Sequence, residues 1–60
     1  MIPEARRRDF LDTLKLVPHA PDMVLRVYVA LVCEEMRVPR NGQREAEIRA
    51  EFEELMSNGS

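Results

Sequence analysis

The segment between Pro21 and Pro39 constrains this chain more than any other feature. Twelve of the sixteen residues from Met23 to Val38 are apolar, and none is glycine or proline. A run this long without a turn signal exceeds the usual strand of five or so residues and predicts a helix. Placed at about 100° per residue, Arg26, Ala30, Cys33, Glu34 and Arg37 share a narrow polar sector. Val24, Leu25, Val27, Tyr28, Val29, Leu31, Val32, Met36 and Val38 sweep an arc of about 200°, twice what one packing interface uses. Such a helix has to be covered from two sides. The competing reading is a strand, because Val24, Val27, Val29 and Val32 are β-branched. A strand here has no partner within the chain and would pair only across a dimer.

Prolines also set the limits of the flanking segments. Pro3 suits the first position of a helix, where its missing N–H costs nothing, and Glu4 complements the helix dipole there. Phe10, Leu11, Leu14 and Val17 then recur at helical spacing, with Arg8, Asp12 and Lys15 on the other side. Val17-Pro18-His19-Ala20-Pro21 ends that helix, since a residue preceding proline is driven out of the helical region. After Pro39-Arg40-Asn41-Gly42, with Asn41 a candidate N-cap, Ile48, Phe52, Leu55 and Met56 form a single apolar stripe. Glu45–Arg49 and Arg49–Glu53 are i,i+4 pairs, and Ser57-Asn58-Gly59-Ser60 is a stop signal. The chain is therefore expected to be all-α, one small domain over residues 1–60, a three-helix bundle with helices at 3–17, 21–37 and 42–57.

Size limits what such a bundle does. Burial in a 60-residue chain contributes roughly 90 kcal/mol, and ordering the chain costs about the same. Two phenylalanines and one tyrosine are the only aromatics, and the outer stripes are narrow. Part of the central helix is thus expected to remain uncovered in a monomer. A twofold homodimer packed through that helix is the expected remedy.

The same composition argues against several functions. Net charge is −2, which gives no general attraction to nucleic acid or to an anionic membrane. The longest apolar run, Met23 to Cys33, is interrupted by Arg26 and too short to span a bilayer. Met1-Ile2-Pro3-Glu4 followed by Arg6-Arg7-Arg8 lacks the apolar core of a secretory signal. A single cysteine, Cys33, permits neither an internal disulfide nor a cysteine-based zinc cluster, which fits the cytoplasm. One Cys, one His and three Ser or Thr residues assemble no nucleophile–base set, so no enzyme, metal or cofactor is expected. His19 reads as a solvated loop side chain and Cys33 as a small residue at a helix boundary. Met23, Met36 and Met56 read as core filling, and Leu16 and Leu25 lie off the densest parts of their faces.

The expected function is a non-catalytic helical interaction or regulatory module. It would bind or occlude a partner protein, or serve as a small subunit of a larger assembly. Leu25, Tyr28, Val29, Val32 and Met36 are expected to form the contact. Glu35 falls inside the apolar arc and is expected either to pair with an arginine from another helix or chain, fixing register, or to emerge into water. The alternative is a small DNA- or RNA-binding regulator using Arg6, Arg7, Arg8, Arg37, Arg40 and Arg44. Against it stand Asp9, Asp12, the glutamate-rich third helix and the lack of aromatics for stacking on bases. A second alternative is a phage or mobile-element inhibitor of a host protein.

Overall fold

A computed structural model of the protein describes residues 2–58. Three helices make it up: α1 (Glu4–Leu16), α2 (Pro21–Glu35) and α3 (Gln43–Asn58). No strand occurs among the described residues, so the β-branched run of α2 is helical as expected. The helices run up, down and up. Arg6 near the start of α1 meets Glu35 at the end of α2, while Arg7 meets Glu51 and Phe10 meets Phe52 on α3. The central helix contacts both neighbours, and α1 and α3 touch each other least.

The three aromatics of the sequence, one per helix, form the centre of the core. Phe10 and Phe52 are fully buried with ring centroids 4.6 Å apart, and Tyr28 packs edge-on at 5.6 Å from Phe10 and 6.3 Å from Phe52. Edge-to-face rings at these distances are favourable beyond the area they bury. The Tyr28 hydroxyl reaches Thr13 Oγ1 at 2.9 Å and donates to the Asp9 carbonyl at 3.4 Å. Thr13 Oγ1 itself donates to that carbonyl at 2.8 Å. The polar end of the one amphipathic ring is thereby satisfied at the α1–α2 seam. Ile2, Val24, Leu25, Val29, Val32, Cys33, Val38 and Ile48 complete the buried cluster.

The helix ends differ from the sequence expectation for local reasons. Pro3 is not the first helical residue but the N-cap, its carbonyl accepting from Arg6 N at 3.0 Å and Arg7 N at 3.1 Å. Helix α2 stops at Glu35, not residue 37, because Arg37 takes a left-handed conformation with φ 57°. Arg37 N donates to Glu34 O and Val38 N to Cys33 O, the paired bonds of a Schellman cap. Val38 folds back and is buried in the same core cluster as Cys33. Val38 therefore belongs to the core without belonging to the helix. Asn41 is likewise not the N-cap of α3. It sits at φ 70°, its N–H donates to Glu45 Oε1 at 3.2 Å, and the Gly42 carbonyl accepts the first helical bond, from Ala46. Glu45 also binds Arg40 Nε, so one carboxylate fastens the whole α2–α3 connection. The Gly59-Ser60 part of the stop signal and the Met1 part of the leader reading lie outside the described residues.

Candidate functional site

The covering of α2 decides which of its residues are available to anything else. Leu25, Val29 and Val32 face α1 and α3 and are buried, Val29 at 1% exposure and Val32 at 0%. Tyr28 is half-buried and engaged in the aromatic cluster. Leu25, Val29 and Val32 cannot form the contact expected of them, because the chain's own helices occupy that face. Of the six expected contact residues, only Glu35 and Met36 stay at the surface. Cys33 also departs from expectation. It is fully buried, and the loss of solvent raises its thiol pKa above the usual value.

The opposite side of α2 carries the unsatisfied surface. Met23, Val27 and Leu31, spaced i, i+4 and i+8, are 64%, 53% and 37% exposed. They form one row along the helix, and Arg26, Ala30 and Glu34 form a second row beside it. On an ideal wheel Val27 lies about 160° from Leu25, so Val27 and Leu31 are one edge of the apolar arc and the second row is the adjoining polar sector. Val27, Ala30, Leu31, Glu34, Glu35 and Arg6 enclose a shallow hollow of about 570 Å³. Along the α1 side of this face, Arg6 Nε and Nη2 donate to both Glu35 oxygens at 3.2 Å, and Arg6 Nη1 donates to Asp9 at 3.3 Å. That two-point bond is the chief reason the Glu35 carboxyl sits below its usual pKa, and it raises that of Arg6. The arginine expected for Glu35 thus comes from α1 of the same chain.

A second apolar concavity of about 500 Å³ opens between α1 and α3, where their contact is weakest. Leu11, Leu14, Pro18, Pro21, Leu55 and Met56 line it, with Lys15 at the rim. Leu16, 81% exposed, projects nearby from the end of α1, and His19 is exposed in the adjoining connection.

The six arginines of the nucleic-acid reading do come to one end of the bundle, because α1 starts where α2 ends and α3 begins. Their charge is not available as a block. Arg6 is held by Glu35 and Asp9, Arg7 approaches Glu51 at 3.7 Å, and Arg40 is bound by Glu45. Arg8, Arg37 and Arg44 are exposed, but Glu4, Glu34 and Glu47 are exposed in the same segments. Opposite signs interleaved this closely leave no focused positive field for phosphates.

Among the described residues there is no group of three or more metal-ligating side chains. None of their helices is long and apolar enough to cross a membrane. Compared with known protein families, curated proteins and solved structures, the chain matches none.

Sequence reasoning missed the outer rows because it treated the 200° arc as one surface. The signal was present in the i, i+4, i+8 spacing of Met23, Val27 and Leu31. Two neighbouring helices cover the middle of such an arc and leave its edge.

Proposed function

We propose that this protein is a non-catalytic helical interaction module that presents the outer face of α2 to another protein. The observation that carries the reading is the exposed row Met23–Val27–Leu31 on a helix whose other side is fully packed. A row of large apolar side chains held on a preformed helix loses little further backbone entropy when it docks, so modest area yields useful affinity. Action is by occupancy: the module covers or blocks a surface, as a homodimer, as a small subunit, or on a larger protein. No bond chemistry is involved, and the cytoplasm is the setting we assign. Glu35, expected to set register, is held by Arg6 of its own chain and borders the face.

The test places a photo-crosslinking residue at Val27 and, separately, at Asp12 on the exposed side of α1. The expected result is a discrete protein adduct from position 27, none from position 12, and loss of that adduct when Leu31→Glu is added with helicity unchanged. The same adducts from both positions, or none from position 27, overturn the proposal.

A further inference from the structure

The outer face of α2 is patterned to fit a reversed copy of itself. Val27, Ala30, Leu31 and Glu34 stand at i, i+3, i+4 and i+7 around the hollow described above. Four residues at that spacing form the hole into which a side chain of a facing helix inserts. Ala30 is the smallest residue of the exposed face and lies in its middle, so a second helix backbone can approach closely there.

Charge then selects both occupant and direction. The row Arg26–Ala30–Glu34 reads positive, small, negative, and both charged ends are exposed. Laid against a copy running the same way, Arg26 faces Arg26 and Glu34 faces Glu34. Turned end for end about Ala30, Arg26 of each copy lies beside Glu34 of the other, giving two identical ion pairs around an apolar centre. A twofold axis generates this reversed arrangement, and matched residues on a single face are what an isologous contact requires. The other charges bordering the hollow, Arg6 and Glu35, already neutralise each other within the chain and oppose neither direction.

We infer that this protein associates with a second copy of itself, α2 against α2 in antiparallel orientation, with Ala30 near the twofold axis and Arg26–Glu34 pairs on either side. The inference rests on the reading of the outer α2 face as an interaction surface and names its occupant. A standard stable interface takes about 800 Å² from each partner. That is roughly a fifth of the 4408 Å² surface of this chain. One helix face supplies less, which places the contact in the weak, reversible class.

Sedimentation equilibrium across a dilution series, from about 1 µM to about 1 mM, reads the mass directly. The wild-type chain is expected to move from 7.0 kDa to twice that mass as concentration rises. Arg26→Glu and Glu34→Arg are each expected to weaken association by about tenfold, and the double exchange to restore it to within about threefold. Both positions are exposed, so circular dichroism should show all three variants folded. A wild-type monomer at every concentration overturns the inference. So does a dimer indifferent to the single reversals, or one that the double exchange fails to restore. If the chain is monomeric while Val27 crosslinks to a different protein, the inference falls and the interaction module stands. Absence of both removes the two together.

Discussion

Both sides of α2 carry large apolar residues, and those residues are opposite in fate. Val24, Leu25, Val29, Val32 and Cys33 are buried against α1 and α3, while Met23, Val27 and Leu31 lie in solvent. Val32 is 0% exposed and Val27, a residue of the same kind one and a half turns away, is 53% exposed. The difference teaches that hydrophobicity alone does not separate a core face from a docking face. Position relative to the two flanking helices does, and so does what each side chain has to pack against. The inner side has Phe10, Phe52 and Ile48 as partners, whereas the outer side has only the hydrogen-bonded Arg6–Glu35 rim.

The inner side can be broken most severely at its aromatic centre. Phe52→Ala removes the ring that meets Phe10 at 4.6 Å and is expected to destabilise by about 3–5 kcal/mol. For a 60-residue bundle that loss is comparable to total stability, so the variant should show no cooperative thermal transition. A milder pair sharpens the comparison with one chemistry at two places. Val32→Ala is expected to cost about 2 kcal/mol, from lost burial and the cavity left behind. Val27→Ala should stay within about 0.5 kcal/mol when urea unfolding is followed at a concentration where the chain is monomeric. Equal losses at the two positions would mean that Val27 is packed by the chain itself, and the docking face would go with it.

Much of this architecture was legible because spacing and proline placement act locally. The three helices, their order and the stripes through Phe10 and through Ile48–Phe52 follow from period and punctuation. The contact face did not follow, because a wheel gives angle and not cover. Nothing in the order of residues states that α1 and α3 close over Leu25, Val29 and Val32 and leave Val27 open. The Cys33 error has the same origin. At nearly the angle of Arg26, it is nonetheless part of the buried cluster, which a wheel of α2 alone does not reveal. Glu35 was half legible: a carboxylate at the edge of an apolar arc demands a cation, but only the tertiary fold brings Arg6 to it.

The left-handed turn at Arg37 gives the next smaller effect, and one of opposite sign. An L-residue with a side chain at φ 57° bears strain that glycine escapes, and glycine is the usual occupant of this position in a Schellman cap. Arg37→Gly is expected to stabilise the chain by about 1 kcal/mol, read as a raised urea midpoint with unchanged slope. Arg37 is exposed next to the outer rows, so the gain is to be read at a concentration where the chain is monomeric. A neutral or destabilised variant would place an unsuspected side-chain role at Arg37.

The smallest effect lies at the rim where the two sides of α2 meet, and it depends on pH. Hydrogen bonding to Arg6 lowers the pKa of Glu35 from its ordinary 4.5, and hydrogen bonding to Arg40, then to the Asn41 N–H, lowers that of Glu45. Each carboxyl binds its proton less readily in the folded chain than in the unfolded one. The stability they contribute is therefore complete above the ordinary value and is lost as pH falls through the lower folded values. Glu35 is exposed enough for salt to screen it, so its share of the loss should shrink at high ionic strength. Glu35→Gln is expected to flatten the acid limb of the melting temperature against pH and to leave the neutral-pH helix content intact. If the Gln variant keeps the full acid dependence, the Arg6–Glu35 bond does not hold the rim in solution, and the boundary between the two sides of α2 must be set by packing alone.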